Sequence, residues 1–349
     1  MEKWSNKKIE LFRQQLLNWY DTQGRANLPW RKNHEPYRVL VSEIMLQQTQ
    51  VDTVLPYFER FMSTLPTVKD LADADEDVVL KLWEGLGYYS RARHLQKAAQ
   101  FLTYECNGVW PTTAKDLQQL PGVGLYTAAA IASISFNEVV PAVDGNMFRV
   151  FSRLLKIEDD IARPKTRQVF YDAILPIVDP VRPGDFNQAI MDLGSSYMTA
   201  KNPDSEHSPV KDFNQAYLDD VEMNYPVKSK KVKAIRQKFL AYIYEENGAI
   251  LFEKRPDSGL LANFWTFPLL QQQDDFDVSD ITQGELLNIK PITHIFTHRR
   301  WEIWLVKQEH LPEKQSNQRF LTSEEWQQLS LPTVQHKLLK SLEENNVYK

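Results

Sequence analysis

Asp144 stands where an extended apolar segment, Val139-Val140-Pro141-Ala142-Val143, meets a run of Met147, Phe148, Val150, Phe151, Leu154 and Leu155. The spacing of that run predicts an amphipathic helix. An Asp at such a junction can cap the helix by accepting from its first amides. Held in that way it is also ionised and fixed, as a group that stabilises developing positive charge must be. The two roles are compatible. Upstream, Leu120-Pro121-Gly122-Val123-Gly124 joins two expected helices. The first is started by Thr113 with Asp116 and runs from Ala114 to Gln119; the second starts near Tyr126. Gly122 and Gly124 would leave N–H groups exposed at a helix N-terminus and let a phosphate come close, a grip on nucleic acid that is blind to base sequence. Gly-x-Gly turns between helices also serve simply as packing devices, so both readings stand on these residues alone.

Leu-Pro-Gly-Val-Gly followed by an Asp at this distance resembles the helix-hairpin-helix superfamily of DNA base-excision glycosylases. Longer stretches look like the adenine DNA glycosylases of the MutY type. They are Leu28-Pro29-Trp30-Arg31, Ser42-Glu43-Ile44-Met45-Leu46-Gln47-Gln48-Thr49-Gln50-Val51, Trp83 to Arg93, Asp144-Gly145-Asn146 and Phe186 to Gly194. They occur in one order and cover nearly the whole chain.

The resemblance implies a mainly α N-terminal helix-hairpin-helix glycosylase region, two helical lobes with the active site between them, and a C-terminal α+β Nudix-like domain. It implies a repair enzyme that releases adenine opposite 8-oxoguanine or guanine in double-stranded DNA without cutting the strand. In that family the residue equivalent to Glu43 is the general acid and that equivalent to Asp144 stabilises the sugar cation, with Tyr126 and Asn146 orienting them. Trp30 and Leu46 would shape the base pocket. Arg31, Gln48, Thr49, Tyr88, Arg91, Gly122 and Gly124 would meet DNA. Bifunctional relatives carry a lysine where Tyr126 stands, and a phenol cannot form a Schiff base. Two alternatives are an endonuclease III-like enzyme that also cuts at abasic sites and a non-catalytic binder of distorted DNA. A monomer is expected, and a cation at the hairpin carbonyls is a further possibility the superfamily raises.

The elements that must hold these residues begin with Lys7 to Tyr20, which has helical apolar spacing ended by Gly24, and another helix is expected from about Tyr37. On that helix Glu43, Gln47 and Gln50 fall on one side, which from spacing alone reads as a solvated polar stripe. Only the resemblance places Glu43 in a pocket. Leu65 to Leu82 predicts two helical stretches, Trp83 to Tyr89 a Gly-rich bend, and Arg167–Ile177 and Asp185–Tyr197 further helices. Tyrosines beside glycines and arginines suit stacking on bases and phosphate contact, and they also simply pack. At 349 residues, with 42% hydrophobic and 25% charged side chains, the chain should form two or three globular domains. The expected division is 1–28 with 137–222, then 29–136, a basic linker at 223–236 and a last domain at 237–349. The net charge of −5 is unusual for a DNA binder, so binding would rest on local clusters such as Arg25, Arg31, Lys32 and Arg38. The start of the chain lacks an apolar core behind a basic run, no stretch is long enough to span a bilayer, and a cytoplasmic protein without membrane contact is expected.

From Ile235 short alternating runs and Asn247-Gly248 predict strands joined by a hairpin. The stretch Arg255 to Pro268 resembles the family's Nudix-like domain, with the acidic metal helix of true Nudix hydrolases absent, which implies a recognition module. Phe296, Thr297 and His298 match the loop that inspects 8-oxoguanine. His294 and His298 lack an evident third metal ligand. Family members usually hold a 4Fe-4S cluster on four cysteines after the Met-Asp-Leu-Gly helix. Here Met198, Ser205, Ser208 and Asn214 occupy those places, and Cys106 is the only cysteine. No cluster and no required cofactor are expected, because oxygen and thioether donors poorly replace thiolates on iron.

Overall fold

A computed structural model describes residues 3–229, 234–281, 283–288, 290–296, 298–311 and 313–344. The chain divides into two units, Met1–Ala74 with Ser90–Lys230 and Asp75–Tyr89 with Lys231–Lys349.

The first unit begins with α1 (Asn6–Gln23), capped by the Ser5 side chain, which accepts from the Lys8 amide. Glu35 accepts from the amides of Tyr37 and Arg38 at 3.1 Å and starts α2 (Pro36–Leu46) with Pro36 in its first turn. Val39 to Met45 are all buried, so α2 is enclosed on every side and carries Glu43 inward. The expected solvated stripe does not form. The helix ends at Leu46, Gln47 leaves it, Gln48 adopts φ 58°, and Gln50 already caps α3 (Val51–Thr64). Glu43, Gln47 and Gln50 therefore share no helix face.

Next come α4 (Val68–Asp73), α5 (Glu76–Leu82), which belongs to the second unit, and α6 (Ser90–Gln100). α7 (Ala114–Leu117) is capped by Thr113, whose side chain accepts from the Asp116 amide at 3.1 Å, and is shorter than expected. After the Pro-Gly turn Gly124 caps α8 (Leu125–Phe136), an Ala-rich helix buried from Thr127 to Ile134. The chain then runs extended to Asp144. Asn187 stitches this segment in place: its Oδ1 accepts from the Ala142 amide at 3.1 Å and its Nδ2 donates to Val140 O at 2.9 Å and Ser133 Oγ at 2.8 Å. α9 (Gly145–Leu155), α10 (Thr166–Ile174), α11 (Pro183–Ser196) and the short α12 (Gln215–Leu218) follow. α1 shares one core with α9 to α11, in which the Phe12 ring meets Phe151 and Phe186 at 6.3 Å and Phe213 at 5.3 Å.

In the second unit β1 (Ile235–Glu246) and β2 (Ala249–Lys254) form the expected hairpin, with Asn247 at φ 50° and Gly248 at φ 77°. β3 (Trp265–Thr266), β4 (Leu269–Gln271), β5 (Glu285–Leu286), β6 (Ile292–Ile295), β7 (Arg299–Gln308) and β8 (Gln318–Leu321) complete a mixed sheet. Its centre is the parallel β1–β7 pair, from Ile235 opposite Arg299 to Tyr244 opposite Gln308. After α13 (Ser323–Gln327), α14 (Thr333–Glu344) packs Leu338, Leu339 and Leu342 in one core with Phe252, Phe267, Ile303 and Leu305. The α5 segment joins this unit through Glu84, whose carboxylate meets His336 Nε2 at 2.8 Å and Lys81 Nζ at 2.7 Å. No helix among the described residues is long and apolar enough to cross a membrane.

The two hairpin glycines differ in what they require. Gly122 has φ 76° and any Cβ there would run into the His94 side chain, whereas Gly124 is extended with nothing within 4 Å of a Cβ. Gly122→Ala is expected to lower unfolding free energy by about 2 kcal/mol or more. Gly124→Ala should change it by less than about 0.5 kcal/mol, measured by urea denaturation.

Candidate active site

A pocket of about 1090 Å³ in the first unit gathers Glu43, Tyr126, Asp144 and Asn146, with Trp30, Arg31, Leu46, Gln48 and Thr49 on its walls. Its central residues come from four elements: α2 brings Glu43, the first turn of α8 brings Tyr126, the cap of α9 brings Asp144, and α11 adds Gln188 and Met191.

Glu43 is 6% exposed, and its Oε2 accepts from the Tyr126 hydroxyl at 2.5 Å. Burial pushes the Glu43 carboxyl up to about 7; the Tyr126 hydrogen bond opposes the rise, the Asp144 charge adds to it and Arg31 opposes it. Burial, helped by the Glu43 charge, likewise holds the Tyr126 phenol well above its ordinary value, so it stays a neutral donor. Asp144 has the cap role expected of it. Its Oδ1 accepts from the Met147 amide at 2.7 Å and its Oδ2 from Asn146 Nδ2 at 2.8 Å. Burial raises the Asp144 carboxyl too, opposed by the amides of Met147 and Asn146, the Asn146 side chain and the Arg149 charge. Glu43 accepts one hydroxyl while Asp144 collects several N–H donors, so when both groups share one proton it resides on Glu43.

The orientation of Asn146 is itself fixed. Arg149 donates to Asn146 Oδ1 at 2.6 Å, which turns the amide NH2 toward Asp144, and donates to the carbonyls of Gly194 and Met198 at 2.6 Å each. Gly194 permits this approach, because a Cβ there would lie 2.9 Å from Asn146 Cβ. Arg149 carried no sequence signal beyond its place in an amphipathic helix.

Two arginines expected at DNA stand elsewhere. Arg31 is clamped to Asp192, NH1 to Oδ2 at 2.7 Å and NH2 to Oδ1 at 3.0 Å, with its side chain 8% exposed. It forms a pocket wall, and its charge is already matched by a carboxylate, so a phosphate contact is corrected to an ion pair. Arg25 donates to the same carboxylate through its backbone amide at 3.0 Å and Nε at 2.7 Å. Burial raises the Asp192 carboxyl, yet Arg31 and Arg25 outweigh it and hold it below its ordinary value. Arg91 is 8% exposed and donates to backbone carbonyls instead of facing solvent. Trp30 is 5% exposed and packs edge-on against Phe58 at 5.3 Å.

Tyr88 belongs to the second unit and is exposed, at φ 48° in the bend that also holds Gly85 and Gly87. Phe296 lies between His294 at 4.6 Å and Trp301 at 4.9 Å, His298 is exposed, and Thr297 lies outside the described residues. Burial, then Lys337, push His294 down to about 4, so it is neutral.

The residues at the cysteine places do not fit an iron–sulfur cluster. Ser205 Oγ donates to Glu222 Oε1 at 2.5 Å, and Asn214 Nδ2 donates to Glu222 Oε1 at 2.9 Å and to Ser205 Oγ at 3.1 Å. Ser208 Oγ accepts from the Val210 amide at 3.4 Å, and Met198 is buried in the core shared by α1, α9 and α11. Ser205 and Asn214 are bonded to each other and to Glu222, Ser208 is bonded to backbone and the Met198 thioether lies in the apolar core, so no set of thiolates faces a common centre. Among the described residues no group of three His, Cys, Asp or Glu side chains could hold a metal ion. Glu222, which no motif marked, is the hub.

Glu43 titrates at about 7 against an ordinary 4.5, so its contribution to stability is full below the lower value and is lost as pH rises through the upper one. Glu43→Gln removes the penalty on the buried anion, on the order of 3 kcal/mol at full ionisation. The variant is expected to melt several degrees above the parent at pH 8 and close to it at pH 5, by scanning calorimetry.

Comparison with known proteins agrees with this geometry. Residues 41–174 match the HhH-GPD superfamily of base excision DNA repair proteins, and residues 239–341 match the NUDIX domain. The adenine DNA glycosylase of Rattus norvegicus is 35% identical over 97% of this chain and 79% of its own length. That of Homo sapiens is 34% identical over 95% of this chain and 74% of its own. A thermostable thymine-DNA glycosylase of known structure is 25% identical and superposes with a TM-score of 0.56 over 61% of this chain and 98% of its own. With a buried acid, a helix-capping aspartate and a Pro-Gly-x-Gly hairpin in the helical unit and a Nudix-like sheet in the second, the chain belongs to the adenine DNA glycosylases of the MutY type.

Proposed function

We propose that the protein hydrolyses the N-glycosidic bond of adenine mispaired with 8-oxoguanine or guanine in duplex DNA, and leaves the strand intact. The observation that carries this reading is the pair of carboxylates in one pocket, both raised by burial, of which Asp144 collects the N–H donors that Glu43 lacks, so that the shared proton sits on Glu43. The adenine leaves the stack at a cost of about a few kcal/mol, which a mispair lowers. Glu43 gives its proton to adenine N7, the C1′–N9 bond breaks with its electrons going to the base, and adenine leaves neutral. The Asp144 carboxylate stabilises the oxocarbenium character left on the sugar, held in place by Asn146 and the Met147 amide. Water then adds at C1′ and gives up a proton to the Glu43 carboxylate. Tyr126 is occupied as the donor to Glu43 and offers no amine, so strand cleavage through a Schiff base is not available from this position. Gly122 and Gly124 take a DNA phosphate at the start of α8, and Phe296, Thr297 and His298 inspect the 8-oxoguanine.

Release of free adenine from A:8-oxoguanine and A:G duplexes under single-turnover conditions tests this. The rate should fall as pH rises through about 7, because only the protonated Glu43 acts, and Glu43→Gln should bind the mispair yet lose at least about a thousandfold in rate. Near-parental release by Glu43→Gln would remove the proposed acid.

We also propose that the enzyme needs no iron–sulfur cluster, supported by the mutual bonding of Ser205, Asn214 and Glu222. Protein purified anaerobically is expected to be colourless, without absorption near roughly 400 nm; stoichiometric iron and sulfide would refute this.

A further inference from the structure

Arg91 is the second residue of α6, and its guanidinium is buried under the end of α2. NH1 donates to the carbonyl oxygens of Ile44 at 3.0 Å, Met45 at 2.9 Å and Gln47 at 2.6 Å, and NH2 reaches Thr49 Oγ1 at 3.3 Å. The last carbonyls of a helix have no partner within it, and the helix dipole favours a cation there. A planar, permanently charged fork can serve several of them at once; an ammonium on a flexible stem holds them less firmly.

What this fork fixes is an improbable turn. Immediately after the carbonyls it holds, Gln48 takes φ 58°, a left-handed conformation that side chains other than glycine's rarely adopt, and it lies on the wall of the active-site pocket. Such conformations persist where the surroundings over-determine them, and they concentrate at functional sites. The Thr49 amide closes the turn on Leu46 O at 3.2 Å, and Gln50 opens α3. Three residues ahead of Arg91 in the chain stands Tyr88, exposed and also left-handed at φ 48°. Arg91 therefore stands close in sequence to one such residue and bonds to the turn that carries the other.

We propose that Arg91 is a positioning residue for base extrusion: it holds the Leu46–Gln50 turn so that the Gln48 side chain enters the duplex where the adenine leaves. This inference rests on the adenine-release reading above and adds the step on which Arg91 acts. Its guanidinium is committed to protein carbonyls. The step it assists is opening of the pair, before any bond breaks.

The test uses the full-length protein and two duplexes, adenine opposite 8-oxoguanine and adenine opposite a tetrahydrofuran abasic-site analogue, where no partner base has to be parted. Arg91→Lys is expected to slow single-turnover release from the paired duplex about 10- to 100-fold and from the unpaired one by less than about threefold. Thr49→Val, which removes only the outermost bond, should show the same selectivity at about two- to fivefold. In a Gln48→Gly background Arg91→Lys should add little on the paired duplex, since both changes act on one step. An equal loss on both duplexes, or no loss on either, with Arg91→Lys or Thr49→Val overturns the inference while leaving the enzymatic reading intact. Wild-type protein that releases adenine from neither duplex overturns the enzymatic reading and this inference with it.

Discussion

The helical unit has to keep two carboxyl groups in one pocket with different protonation. Two buried anions would repel each other and lose their hydration, so one of them takes a proton. Which one is decided by hydrogen-bond donors. Asp144 sits at a helix start, where amide hydrogens converge without partners of their own, and Asn146 adds another. Glu43 projects from the middle of an enclosed helix, where backbone donors are already used, and among the described residues it is the Tyr126 hydroxyl that reaches it.

Beside the apolar core, buried and half-buried polar side chains fix the scaffold around that pair. Asn187 fixes the extended approach to Asp144 through three hydrogen bonds, and Arg149 sets the amide of Asn146 while binding the carbonyls of Gly194 and Met198. Asp192 gathers Arg31 and Arg25 behind the base pocket. Each of these groups would be costly if left unmatched in the interior, so each specifies one arrangement of the elements it joins. Arg91 belongs to the same set, with its charge directed to the end of α2.

The loop after α11 shows the same economy of donors and acceptors in a place where metal chemistry is usual for the family. Glu222 receives Ser205 and Asn214, and Arg153 lies with its Nε 3.9 Å from Glu222 Oε1 while donating to the carbonyls of Thr199 and Tyr225. Arg153 and Arg149 lie one turn apart on α9, so the loop and the Asp144 cap are fastened to one helix.

Local sequence determined the parts whose conformation is settled by near neighbours. The hairpin turn, the cap at Asp144, the Asn247-Gly248 strand turn and the loss of the cluster thiolates follow from residue type and spacing, because a left-handed backbone, a helix start and a ligand set each depend on few adjacent residues. The resemblance supplied Glu43, which periodicity alone placed on a solvated face; α2 is buried on all sides, by α3 next to it and by α6 and α8 further along the chain, and no pattern within α2 records that. Likewise a positive charge near a motif reads as a DNA contact until its partner is seen. Only the tertiary structure decided that Arg31 answers Asp192 and that Arg91 answers the carbonyls of α2, since those partners lie 161 residues away in the first case and 47 or fewer in the second, and the pairing of a buried charge is fixed by whichever group the fold brings within reach.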